Sequence, residues 1–340
     1  MNVTIGVDIR RVLLFTTCAF SLGGCYYMQA ARGQLDVMSK REPIDDLITA
    51  DATPEDLAGQ LELVAEARQF AVDELYLPDN DSYRSYADLG RDYVVWNVFA
   101  APEFSLQPRT WCFPIAGCVG YRGYFSEDSA ERKAGQLRKE GYDVVVSGIP
   151  AYSTLGKFDD PVLNTMMHWT DTVLVGTIFH ELAHQVLYIK DDSEFNESFA
   201  SAVEEFGLER WLASRGEEAG FEAYQEQREL LRQFGEIIGV ARSDLEELYA
   251  SSLAPHEMRL GKRHRLEQLR GELGAKLEQS GHNAPEWLDS ELNNARLASM
   301  GLYQNRVPEF RALYEECERD LQCFYDNASS LQHARTSTTR

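Results

Sequence analysis

The chain has 340 residues, 55 of them Asp or Glu against 33 Lys or Arg, for a net charge of −22, and 44% of its residues are hydrophobic. A chain this negative is repelled by nucleic acid and by anionic lipid, which excludes charge-driven binding of either. Length and apolar content support one large domain or two modest ones, and no internal repeat is evident.

At the N-terminus Arg10 and Arg11 precede an apolar run from Val12 to Leu22, too short and wrongly flanked for an ordinary transmembrane helix. The run ends Leu22-Gly23-Gly24-Cys25, which resembles a bacterial lipobox. That resemblance implies that residues 1–24 are a signal peptide and that Cys25 is lipidated on its sulfur and its new amino group. Tyr26, in place of an aspartate, favours the outer membrane by the same analogy. The expectation is a lipid-anchored domain facing the periplasm.

From Pro43 to Ala71 polar turns give way to a helix, with Thr53 as N-cap, Pro54 at the first helical position, and Leu57, Leu61, Val64 and Ala65 on one face. Tyr93 to Ala100, rich in β-branched and aromatic residues, is a strand candidate, as are Gly120 to Phe125 and Asp143 to Ser147. Together they predict a small sheet over about 90–150. Pro150 to Pro161 is a long, turn-rich connection able to line a cleft. In it Tyr152 is a candidate donor to a carbonyl oxyanion, and Asp159 and Asp160 are candidates to receive a substrate ammonium; a capped turn is the plainer reading of the aspartates.

Thr170 and Asp171 fit the cap and first turn of a helix that continues through the apolar Val173, Leu174, Val175, Ile178 and Phe179 into His180-Glu181-Leu182-Ala183-His184. Four residues cover a little more than one helical turn, so both histidines stand on one face and can share one metal ion. Neutral imidazoles suit zinc, and a catalytic zinc site takes about three protein ligands and one open position. Glu181 is placed to act as general base and then general acid. Asp191, Asp192 and Ser193 form a turn and cap, after which Phe195 to Phe206 reads as a second helix. Glu197 near its start is the candidate third ligand, ahead of Glu194, which falls at the turn. Glu204, two turns on, shares its face and could accept the free ring N–H of a ligand histidine; with Glu205 it could equally belong to a charged surface.

The remainder reads as helix. Phe221, Tyr224, Leu231, Phe234 and Ile238 recur at helical spacing, Ser243 and Glu246 make a capping box, and Leu266, Leu269, Leu273 and Leu277 form a further stripe; all read as core. Lys262, Arg263, His264 and Arg265 read as a solvated face. Packing and salt bridging are the plain reading of Arg296 and Tyr303, late in the chain. The tail 333–340 is polar and aperiodic, as disordered chain is. Four cysteines remain beyond Cys25: Cys112, Cys118, Cys317 and Cys323. They allow three connectivities, of which two local loops are the simplest in an oxidising compartment; the spacings lack the C-x-x-C pattern of structural zinc.

His180-Glu181-x-x-His184 followed by Asn196-Glu197-x-x-Ala200 resembles the gluzincin metallopeptidases, and the Asn-Glu-x-x-Ala form is similar to that of the zinc aminopeptidases. With Tyr152 to Pro161 and Asn293 to Leu297, these segments resemble a family of bacterial aminopeptidase lipoproteins. The resemblance implies one zinc per chain, held by two histidines of one helix and a glutamate of the next, with an edge strand before the zinc helix holding the peptide backbone and a Tyr or Arg late in the chain, Arg296 or Tyr303, stabilising the oxyanion. Only twelve residues separate His184 from Glu197, fewer than in the well-known aminopeptidases, and no Gly-Ala-Met-Glu-Asn segment is present. The expectation is therefore an α+β, predominantly α-helical gluzincin-like metallopeptidase over 25–332, with zinc helices over about 163–212 and a helical part over about 218–332. Its expected activity is zinc-dependent hydrolysis of peptides in the cell envelope, as an aminopeptidase. A zinc endopeptidase is the nearest alternative, and a non-catalytic envelope binding or assembly protein is the alternative of another class.

Overall fold

The computed structural model describes residues 26–331 apart from 114–116, 191, 283–284, 291 and 301–305. The signal segment, Cys25, Tyr303 and the tail 333–340 lie outside these residues. Helix α1 (residues 26–39) leads into β1 (Arg41–Pro43), α2 (Ile44–Thr49) and α3 (Glu55–Asp73). Pro54, rather than Thr53, occupies the N-cap of α3, one position later than the sequence predicts. There follow β2 (Ser85–Ala87), β3 (Val95–Pro102), β4 (Trp111–Phe113), β5 (Gly117–Val119), β6 (Tyr121–Tyr124), α4 (Glu127–Lys139), β7 (Tyr142–Ile149) and β8 (Val162–Leu163). The predicted sheet is β6-β3-β7, antiparallel throughout, with β3 in the middle. Alternation along β3 decides its packing. Trp96, Val98 and Ala100 pack with Ala130, Ala134 and Leu137 of α4, and Phe99 and Ala101 pack with Ala295 on the other side. A second small sheet, β1-β2-β8, was not legible in the sequence, because strands of two or three residues carry no usable alternation.

Beyond the sheets the chain is helical: α5 (Asp171–Val186), α6 (Ser193–Arg215), α7 (Glu218–Ala250), α8 (Pro255–Gln279), α9 (Glu286–Ser290), α10 (Asn294–Met300), α11 (Val307–Glu316) and α12 (Leu321–Ala328). The main core gathers α3, α5, α6, α11 and α12, with Leu174, Ile178, Phe179, Phe199 and Phe324 fully enclosed. At Gly207 of α6 a Cβ would meet Phe179 Cδ2 at 2.7 Å and Leu75 Cδ1 at 2.8 Å, so α6 lies close on α5 only because this residue has no side chain. No helix among the described residues is long and apolar enough to cross a membrane.

Two expectations are corrected. Ser243 and Glu246 lie inside α7, which runs on unbroken because Phe234, Ile238, Ala241 and Leu245 keep one apolar register against α8. The box that starts a helix here is at Ala254, whose N–H donates to Glu257 Oε2 at 2.9 Å. Lys262 is not solvated: it is buried and donates to Asp143 Oδ2 at 2.6 Å and to Glu103 O at 2.9 Å, tying α8 to the sheet. Arg263 and His264 beside it are exposed. The cysteines pair locally as expected, Cys112 with Cys118 and Cys317 with Cys323.

Candidate metal centre

Helix α5 presents His180 and His184 one turn apart, with ring centroids 4.9 Å apart and planes nearly perpendicular. The chain then turns within six residues into α6. Asp192 caps α6 by accepting from Phe195 N–H at 3.1 Å. Buried Asn196 clamps the turn on both backbone groups of one residue, accepting from Ile189 N–H and donating to Ile189 O, each at 2.7 Å. This clamp fixes Glu197 opposite the histidines: its Oε2 lies 3.3 Å from His180 Nε2 and its Oε1 3.7 Å from His184 Nε2. One donor atom from each of the three residues falls within 4.8 Å of the others. Behind them Glu204 Oε2 sits 3.0 Å from His180 Nδ1, and Glu204 Oε1 accepts from Tyr224 Oη at 3.0 Å.

A family model described as "Putative aminopeptidase" matches residues 25–340 of the chain. The chain belongs to this family. No curated protein and no solved structure matches it.

In this aminopeptidase-family chain the donor set fits a divalent cation. His184 is buried, its Nδ1 finds no hydrogen-bond partner among the described residues, and burial followed by the charge of His180 lowers its pKa to about 4. It is therefore a neutral imidazole with lone-pair density to offer. Burial also acts to lower His180, but its hydrogen bonds to Glu197 and Glu204 overcome this and raise it to about 10. That proton supplies the positive charge that the surrounding carboxylates demand, and a bound cation would supply it instead. Glu197 and Glu204 would be raised by burial but are held below the usual carboxylate range by His180. Glu181, one residue beyond His180, is raised by burial, with His180, Glu197, Ser153 and Asp160 close enough to act on it. A carboxylate raised toward neutrality is suited to proton transfer.

Two loops cover the face of α5 that carries Glu181. Gln185, one turn after Glu181, accepts from Asn80 Nδ2 at 2.7 Å and donates to Ser82 Oγ at 3.3 Å. The 78–82 loop is held by buried Arg68, which donates to Ser82 O at 2.9 Å, Pro78 O at 2.6 Å and Asn80 O at 2.9 Å. In the other loop Asp160 is inward-facing, receiving Thr154 N–H at 2.7 Å and Thr154 Oγ1 at 2.9 Å, so its carboxylate closes the 153–160 segment. Asp159 lies at the surface and reaches Arg41 at 4.0 Å. Tyr152 donates its hydroxyl to Gln34 of α1 and packs edge-on against Phe125. Arg296, buried on α10, donates to Ser147 Oγ at 3.2 Å and lies over the Trp287 ring.

The geometry thus gathers His180, Glu181, His184, Glu197 and Glu204, while Tyr152, Asp159, Asp160 and Arg296 have these other partners. Three tyrosines were not legible in the sequence as site residues. Tyr188, exposed just past α5, packs edge-on to His184 at 6.2 Å. Tyr121 of edge strand β6 is close enough to Tyr188 and Glu197 for both to act on its hydroxyl. Tyr83 is buried at a φ of 61°, where bulky residues are rare, and its hydroxyl lies where Glu181, Asp160 and Ser153 all act on it. Tyr121 stands 59 residues before His180 and Tyr188 on a loop four residues after His184, and no periodicity marks them.

Proposed function

We propose that the chain is a zinc-dependent metallopeptidase acting as an aminopeptidase, with His180, His184 and Glu197 as the metal ligands. The observation that carries this is the convergence of three donor atoms from two helices within 4.8 Å, with Glu204 on the far nitrogen of His180. Bound zinc supplies Lewis acidity and a water nucleophile at neutral pH. Glu181 takes the proton of the attacking water and returns it to the leaving amine. Glu204 holds His180 in the tautomer whose Nε2 lone pair faces Glu197. Tyr121, on which Glu197 acts, and Tyr188, which packs on His184, would donate to a carbonyl oxygen as it gains charge. Strand β6, which carries Tyr121, is an edge of its sheet, where an extended peptide would pair beside Tyr121, the Gly123 carbonyl being taken by Gln29 Nε2 at 3.4 Å.

The same reading places the protein in the bacterial envelope, lipidated at Cys25. Tyr26, the next residue, stacks on Phe113 at 5.4 Å and lies under Arg122 at 4.1 Å, so an anchor at Cys25 would be held against the domain with no linker between. The test is zinc-loaded protein on a mixture of unrelated peptides with free or acetylated N-termini, read by mass spectrometry. Stepwise loss of single residues from free ends only is expected. Internal cuts in both sets would make the enzyme an endopeptidase, and no cuts with zinc bound would favour a binding protein.

A further inference from the structure

We propose that Tyr224 of α7 is a positioning residue of the metal centre, acting through Glu204 to hold His180 with its Nδ1 protonated and its Nε2 turned to Glu197. The proposal rests on the metallopeptidase reading and extends it by one residue that the apolar stripe of α7 concealed.

Helix α7 is long and mostly solvated over its first two-thirds. Tyr224 is its one residue before Ala241 that is buried, so its burial does not belong to the stripe that packs α7 on α8. Phe221, one turn earlier, stacks on the ring at 6.0 Å and holds it in place. The hydroxyl reaches Glu204 Oε1 at 3.0 Å, while Glu204 Oε2 takes His180 Nδ1 at 3.0 Å, so the carboxylate is pinned at both oxygens. A carboxylate pinned at one oxygen alone can rotate about its Cγ–Cδ bond and exchange partners, and the imidazole would follow. Burial, and next the charge of Glu204, raise the phenol, which keeps Tyr224 a donor at every working pH. The relay therefore runs from α7 through α6 to α5, three helices brought to one ring.

The experiment is zinc affinity of the full chain, measured by competition with a chelator, for the parent, Tyr224→Phe, Tyr224→Met and each in a Glu204→Ala background. Loss of an outer hydrogen-bond partner of a ligand weakens metal binding about tenfold or more. Both hydroxyl-less variants are expected to lose about tenfold in the parent background and nothing further once Glu204 is absent, since residues that act through one another are not additive. A parental affinity in Tyr224→Phe, or the same loss with and without Glu204, overturns the proposal while leaving the metal centre standing. A parent chain that takes up no zinc overturns the metallopeptidase reading, and this proposal with it.

Discussion

A Cβ on Gly176 of α5 would stand 3.3 Å from Cγ of Glu204 on α6, and 3.0 Å from Leu208 Cδ1. Neither neighbour can yield easily, since Leu208 is fully enclosed and Glu204 is held at both oxygens. Gly176→Ala gains about 1 kcal/mol of helix propensity, against an overpacking cost of about 1–3 kcal/mol. The expected net effect is a loss of about 1 kcal/mol in chemical denaturation, with weaker zinc binding because Glu204 is displaced. A more stable variant with parental zinc affinity would mean that the helices relax there freely.

Zinc binding should compete with a proton on His180. In the metal-free folded chain its pKa is raised to about 10 from an ordinary 6.5 by its hydrogen bonds to Glu197 and Glu204, which outweigh burial. The proton therefore stabilises the metal-free chain fully below pH 6.5, and that stabilisation is lost as the pH rises through about 10. A cation takes the same nitrogen and releases the proton, so the apparent zinc affinity should rise by up to about tenfold per pH unit across this window. Calorimetry in buffers of different ionisation enthalpy reads the protons released; no release at pH 7.5 would contradict the assignment of His180.

Arg68 is buried and satisfies three backbone carbonyls of the loop beside Gln185. Arg68→Met leaves those acceptors unpaired, a loss on the order of 3 kcal/mol. Urea denaturation should show it, together with reduced hydrolysis, because the 78–82 loop packs over the face that carries Glu181. A loss below about 1 kcal/mol would mean that water replaces the guanidinium.

The Cys317–Cys323 bridge closes a short loop between α11 and α12, whose Phe310 and Phe324 pack on Phe199 of α6. Replacing both cysteines by alanine should cost about 2 kcal/mol by chain entropy alone. The denaturation midpoint would fall accordingly, while zinc content should stay at the parental level; an unchanged midpoint would show that packing alone holds α12.

Local pattern carried much of this site into the sequence. His180 and His184 share a face because four residues cover a little more than one turn, and Glu197 and Glu204 do so because seven residues complete about two. The main sheet was legible from the β-branched and aromatic content of β3 and the β-branched run in β7. What stayed hidden depends on partners distant in the chain. Tyr224 reads as one more apolar position until its hydroxyl is seen on Glu204, and Lys262 reads as surface until Asp143 and the carbonyl of Glu103 are seen around it. Tyr152 stood in a segment with the composition of a cleft lining, yet its hydroxyl goes to Gln34, 118 residues earlier. Ser243 misled because a capping box is a local signal, while the continuous α7 is set by tertiary packing on α8.

The central claim is that zinc at His180, His184 and Glu197 works with Glu181 as the proton carrier. The most direct measurement is hydrolysis of a free N-terminal peptide by Glu181→Gln, with zinc content determined on the same preparation. The account predicts one zinc per chain, as in the parent, with the rate reduced by about 10²–10⁴. Zinc retained with a parental rate would contradict it, since the proton would then be carried by another group.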